Sequence, residues 1–354
     1  MRKGFVDFIE KCSKRPKIFI RTKDLILLVP TFSTLGPLGA GTPVIAYKRA
    51  IEQILVEDNM KKFSLFLTLC LALSCIYSRT AFGDEEQLII GLVPEMSRKM
   101  QIDRYFPLIK YLEKKVGMKV GMKYLPNYGA LYEETRSGRT GAGFFGSFVY
   151  CMTRDHIQIE PIARPVRLDG VSTSSGYTFV RKDSGIKSPR DMKGKTIALV
   201  DPLSTTGYLA QKLFFKRQGV DISKDVKIFW AGSHDAAVMA VFNKQADMGG
   251  AKNHIFDELV SGNVKKALII LDESPAVPDD VLAVSKDLDP KIKEKIKDVL
   301  TAMASDPVGQ TVLRKFGARA FMVTNDEDYK GLYGMIKMAG IDLKIYSYSK
   351  DSTR

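Results

Sequence analysis

The chain has 354 residues, 45% of them hydrophobic, with a formal net charge of +14, which fits one large or two ordinary globular domains. The first 83 residues hold 13 Lys/Arg and 6 Asp/Glu, so half of that charge, +7, belongs to the remainder. The remainder shows no basic stripe interleaved with aromatics, which argues against nucleic-acid binding and leaves room for a small anionic ligand.

Of Cys12, Cys70, Cys75 and Cys151, only Cys151 lies beyond residue 83, so an intramolecular disulfide is not expected in the main domain. The three histidines, His156, His234 and His254, have no cysteine partners there. Neither a metal site nor a cofactor is expected.

Met60-Lys61-Lys62 precedes an uncharged run over 63–77, and Ser78-Arg79-Thr80-Ala81-Phe82-Gly83 follows before the acidic Asp84-Glu85-Glu86. A basic start, an apolar stretch and small residues at Ala81 and Gly83 predict a secretory signal peptide over 60–83, cleaved after Gly83, and a periplasmic location. The run is shorter than the roughly 20 residues that span a bilayer, so it reads as a removed signal rather than an anchor. Ala72-Leu73-Ser74-Cys75 is an imperfect lipidation box, which keeps a lipoprotein beginning at Cys75 as an alternative. Because signal peptides stand at the start of a protein, translation is expected to begin at Met60, with 1–59 an upstream extension outside the fold.

Beyond Gln87, strands are predicted at 88–93, 119–125 and 142–145, and helices at 105–115 and 130–137. A second lobe opens near 177–180. It continues with a strand at 196–200, a hydroxyl-rich turn, a helix to Gly219, a strand at 226–230, a helix at 234–243, and strands near Asp247 and at 267–271. A strand at 281–285 leads back, followed by helices at 290–305 and 326–340. This alternation predicts an α/β fold of mainly parallel sheets flanked by helices. The segments 131–152 and 239–259 run through similar elements in the same order, as two lobes with matching loops would.

The chain is organised around Asp201-Pro202-Leu203-Ser204-Thr205-Thr206-Gly207-Tyr208, where a strand ends in a turn that opens a helix. Ser and Thr cap helices, and the first N–H groups of a helix have no internal acceptor, so the turn aims donors and partial positive charge outward. Such a terminus suits an anion. Capping its own helix is the plain alternative for Ser204 or Thr205.

That stretch, with Gly232-Ser-His-Asp-Ala-Ala-Val-Met-Ala-Val and Ser274-Pro-Ala-Val-Pro-Asp-Asp, resembles the phosphate/phosphonate-binding family of periplasmic substrate-binding proteins that serve ABC importers. Phe145-Gly146 with Tyr150, and Ser175-Gly176-Tyr177, add to the likeness, which covers roughly 88–343. It implies a type 2 periplasmic binding fold with two crossover strands as hinges, lobe 1 from 84–177 and 280–354 and lobe 2 from 178–279. By the same resemblance, Ser204, Thr205 and Thr206 would hold phosphoryl oxygens, His234 would reach them through a ring N–H, and Tyr128 and Tyr177 would close the cleft. Ser147 belongs to the loop after Phe145-Gly146, and Lys252 and Asn253 to a loop where such proteins read the rest of the ligand.

The chain departs from the family pattern at Gly141, where an acidic residue is usual, at Ser147, where proline is usual, and at Lys244, where glycine is usual. An aminophosphonate would need a carboxylate beside its ammonium, and the sequence does not single one out. Phosphate, phosphite and simple alkylphosphonates therefore remain open.

The expected function is capture of a phosphate-like oxyanion by a monomeric protein that delivers it to an ABC permease. The alternatives are a sensor feeding a membrane kinase and a hydrolase using Ser204 and His234. The hydrolase reading lacks a Gly-x-Ser-x-Gly elbow and a phosphate-binding Gly-Lys-Ser/Thr loop.

Overall fold

The computed structural model describes residues 17–22, 25–30, 87–346 and 348. The expected signal peptide at 60–83, with Cys75, lies outside them. The chain falls into two units, 1–83 and 84–354. In the first, β1 (Lys17–Thr22) and β2 (Leu25–Pro30) pair antiparallel, with Lys17 opposite Pro30.

The second unit runs β3 (Gln87–Leu92), α1 (Arg98–Val116), β4 (Lys119–Tyr124), α2 (Tyr128–Arg136), β5 (Ala142–Phe145), α3 (Ser147–His156) and β6 (Ile159–Arg167). After β7 (Thr173–Ser174) come β8 (Gly176–Arg181) and β9 (Thr196–Leu199). A π-helical turn, Thr205–Leu209, then runs straight into α4 (Ala210–Arg217). Next stand α5 (Ile222–Asp225), β10 (Lys227–Trp230), α6 (His234–Phe242), β11 (Met248–Lys252), α7 (Gly262–Ala267) and β12 (Leu268–Glu273). The return comprises β13 (Val277–Pro278), β14 (Val281–Ser285), α8 (Pro290–Ala302), α9 (Pro307–Phe316), β15 (Ala318–Val323) and α10 (Lys330–Met338).

Local chemistry sets these boundaries. Asp306 accepts from Val308 N and Pro307 fills the first turn of α9, while Gly317 ends it at φ 84°. Gly117 closes α1 in the same left-handed conformation, behind Lys114 and Lys115 in the last turn. On β3, Leu88, Ile90 and Leu92 share the face that packs on Leu108 and Leu112 of α1, which is the period-two pattern of a strand.

The strands form two principal sheets, ordered β15-β6-β14-β5-β3-β4 and β10-β9-β11-β8-β12. Both are mixed rather than mainly parallel. In the first, β5-β3-β4 run parallel and the pairings through β14, β6 and β15 are antiparallel. In the second, β10-β9-β11 run parallel and β8 is antiparallel to both β11 and β12. The strands wound by strand–helix units run one way, whereas β8 and β14 enter from the crossovers and run the other. The crossovers themselves pair through β7 and β13, with Val277 opposite Ser174 and Pro278 opposite Thr173. Tyr177, expected beside the hinge, already belongs to the second sheet.

Several strands escaped the sequence, β6 and β15 the longer among them. β6 carries Pro161 and Pro165, which read as breakers, yet it is an inner strand that accommodates them with register shifts against β14 and β15. β15 shows no clean alternation of buried and exposed residues.

Candidate ligand-binding site

Four helices begin at one cavity. The first residues of α2, α3, the 205–217 helical run and α6 are Tyr128, Ser147, Thr205 and His234, and all four line it. The cavity and its open mouth together span about 260 Å³, solvent-exposed space included. A helix start carries about half a positive charge in its unpaired N–H groups, so four together match a dianion in magnitude.

Ser204 and Thr206, both buried, line the cavity beside Thr205. Ser204 Oγ accepts from Gly207 N at 3.1 Å, so it caps its helix as well as facing the cavity; the hydroxyl hydrogen is free of that bond. Only glycine fits at 207, since a Cβ there would overlap the Val200 side chain. Thr205 Oγ1 accepts from Phe148 N at 2.8 Å, tying the turn to the opposite lobe.

His234 is 1% exposed. Lys252 N donates to its Nδ1 at 2.9 Å, which leaves the ring's N–H on Nε2. Burial, aided by the Lys252 charge, lowers its pKa to about 3, so the ring is a neutral donor at any working pH. Its own backbone N–H donates to Glu95 O at 3.0 Å, a second tie between lobes.

Tyr128 is 2% exposed and its hydroxyl has no hydrogen-bond partner. An orphaned buried phenol lining a cavity is poised for a ligand oxygen. Ser147 lines the cavity too, though its Oγ donates to Pro278 O at 2.5 Å.

Lys252 is not a solvated loop residue but ends β11, 4% exposed. Its Nζ lies 2.5 Å from Glu95 Oε1, 2.7 Å from Asp280 Oδ2 and 3.4 Å from Asp279 Oδ1. Burial alone would strip its proton, but the three carboxylates outweigh that and raise its pKa well above normal. Burial opposes ionisation of Glu95 as well; the Lys252 charge, a hydrogen bond with Asp280 and His234 hold it at about 2. Asp280 moves the other way, driven up by burial and by the Glu95 charge beside it. Arg167 adds a second cation 3.3 Å from Asp279.

Two expected residues stand elsewhere. The Tyr177 hydroxyl donates to Asp257 at 3.0 Å and its ring packs on Phe256, away from the cavity lining. Asn253 Oδ1 accepts from Ser175 N at 3.3 Å, which fixes the crossover rather than the ligand space. Asn253 stands one residue past the end of β11, which Lys252 closes. Sequence reasoning missed Glu95, which is distant from every motif, and Asp279 and Asp280, although these end the quoted Ser274-Pro-Ala-Val-Pro-Asp-Asp segment. It also missed Tyr346 and Tyr348, whose hydroxyls donate to Pro202 O at 3.0 Å and Asp201 Oδ2 at 3.2 Å, strapping the C-terminal segment over the turn.

Among the described residues no group of His, Cys, Asp and Glu is placed to hold a metal ion, and no helix is long and apolar enough to cross a membrane. Cys151 is a buried free thiol.

Two α/β lobes shut on a small cavity lined with helix starts define a solute-binding protein of the periplasmic type. A family model described as "ABC transporter, phosphonate, periplasmic substrate-binding protein" matches residues 90–329. The chain belongs to that family. The phosphonates-binding periplasmic protein of Escherichia coli is 26% identical over 271 residues, covering 74% of this chain and 80% of that protein. The phosphate-import protein PhnD of Mycolicibacterium smegmatis is 28% identical over 241 residues, covering 64% and 75%. Among solved structures, the binding component of an ABC phosphonate transporter from Pseudomonas aeruginosa superposes with a TM-score of 0.68 at 23% identity, covering 73% of this chain and 87% of that one. PhnD1 from Prochlorococcus marinus, in complex with methylphosphonate, gives 0.66 at 19% identity, covering 73% and 99%. The structural likenesses carry the fold.

Proposed function

We propose that the protein captures a phosphate-like oxyanion, whether phosphonate, phosphite or phosphate, between its lobes in the periplasm and delivers it as a monomer to an ABC importer. The observation that carries this reading is the convergence of four helix starts on one cavity. There Ser204, Thr205 and Thr206 offer hydroxyls, Thr205 and Thr206 also backbone N–H groups at the helix start, His234 a neutral ring N–H, and Tyr128 an unpartnered hydroxyl. Donors meeting a charged acceptor form the stronger class of hydrogen bond. The relatives named above are a phosphonate-binding and a phosphate-importing protein, which supports the same ligand class.

The arrangement favours binding over hydrolysis. A serine nucleophile needs a base, but the His234 Nδ1 lone pair is held by Lys252 N–H and Nε2 carries the proton. Ligand contacts from both lobes would favour the shut state, with β7 and β13 as the hinge.

Titration calorimetry of the purified protein against phosphate, phosphite, methylphosphonate and sulfate tests the reading. Binding of at least one phosphorus oxyanion, tighter than sulfate, is expected. Binding of none of them refutes it.

A further inference from the structure

The acidic end of the cavity poses a physical question, because carboxylates beside an anion site repel the anion unless a cation stands between them. Glu95, Asp279 and Asp280 line the same space as Ser204, Thr205, Thr206 and His234. The cations present are the protein's own: the Arg167 guanidinium on Asp279, and the Lys252 ammonium, which meets all three carboxylates. An ammonium has three N–H groups, and here all three carboxylates are within hydrogen-bonding range of it. It therefore has no donor to spare for a ligand oxygen, and its role lies in occupying and neutralising the acidic end.

Resting on the oxyanion reading above, we propose that Lys252 determines specificity: its ammonium fills the place that a cationic substituent on a phosphonate would take, so the site selects oxyanions without an amino group. A ligand bringing its own ammonium would have to displace a buried lysine or place two like charges in one acidic pocket, and each is costly among buried groups. The orphaned Tyr128 hydroxyl lines the same cavity and offers its donor to the oxyanion end of a ligand. Phosphate, phosphite and short alkylphosphonates fit this selection, and aminoalkylphosphonates do not.

The lysine also spans the lobes, joining β11 to Glu95 and to the second crossover, so its removal loosens closure for every ligand alike. The ratio of affinities separates the two roles. Calorimetry would compare phosphate, methylphosphonate and 2-aminoethylphosphonate on the wild type, Lys252→Ala and the double variant Glu95→Gln/Lys252→Ala. In the wild type, aminoethylphosphonate is expected to bind at least about a hundredfold more weakly than the better of the other two, the scale of an unpaired buried charge. In Lys252→Ala, which frees both space and negative charge, that ratio shifts toward the amine by about a hundredfold or more, and the double variant loses most of the gain.

Equal weakening of all ligands in Lys252→Ala would make the lysine a latch only and overturn the proposal. Wild-type affinity for aminoethylphosphonate equal to that for methylphosphonate would also overturn it, and this result stands even where a variant does not fold. Failure of the wild type to bind any of the three, or phosphite, would instead remove the oxyanion reading itself, and the proposal with it.

Discussion

Replacing Tyr128 by Phe separates ligand contact from structural support, because the two consequences carry opposite signs. The hydroxyl is the one atom removed, and it has no partner in the protein while the ring around it is buried. A buried hydroxyl without a partner costs about 1–3 kcal/mol, so its loss leaves the ligand-free fold as stable as before or more so. For a protein of this size a gain of about 1 kcal/mol raises Tm by about 2 °C. With ligand, the same hydroxyl donates to a charged oxygen, a bond worth about 1.5–3 kcal/mol, or about ten- to a hundredfold in Kd. Calorimetry gives the affinity and differential scanning calorimetry of the ligand-free protein gives Tm. An unchanged Kd, or a Tm lowered by several degrees, would refute the assignment of this hydroxyl to the ligand.

Two further outcomes follow from the same geometry. His234 and His254 are held neutral by burial, with pKa values lowered to about 3 and about 4, whereas an unfolded histidine titrates near 6.5. The unfolded chain therefore binds more protons below about 6.5, and the stability these rings confer is lost as pH falls from there toward their folded values. The difference in unfolding free energy between wild type and His234→Gln should fall by up to about 1.4 kcal/mol per pH unit below pH 6, measured in urea; a difference that ignores pH would show the ring is not buried neutral. Lys244, where glycine is usual in the family, sits at φ 64° and is the non-glycine residue with positive φ among those described. Lys244→Gly should therefore be more stable than Lys244→Ala by about 1 kcal/mol in the same assay, and equal stabilities would show the left-handed backbone is relieved in solution.

Much of the architecture was legible because it is local. A strand before 201, a hydroxyl turn, and a helix after it follow from alternation, capping and the orphan donors of a helix start, all settled within a few residues. The same holds for His234 at the head of α6, where Ser233 caps through Ala236 N, and for the end of α1, which Gly117 closes. The sequence read Tyr128 as a cleft residue through resemblance, yet placed the start of its helix two residues late, so the convergence of four helix starts stayed hidden. β6 stayed hidden because its prolines mean a breaker locally and a bulged inner strand only when β14 and β15 lie on either side.

What the sequence by itself determined, then, is most of the elements around the site and the donor character of the turn, since backbone hydrogen bonding and side-chain capping act between near neighbours. Only the tertiary structure decided which groups share the cavity. Glu95 and Lys252 stand 157 positions apart and meet because the lobes close, while Asn253, next to Lys252, faces the crossover. Whether a lysine is a solvated surface charge or the neutralising cation of a binding site depends on the carboxylates that the fold brings to it, and nothing local to Lys252 announces them.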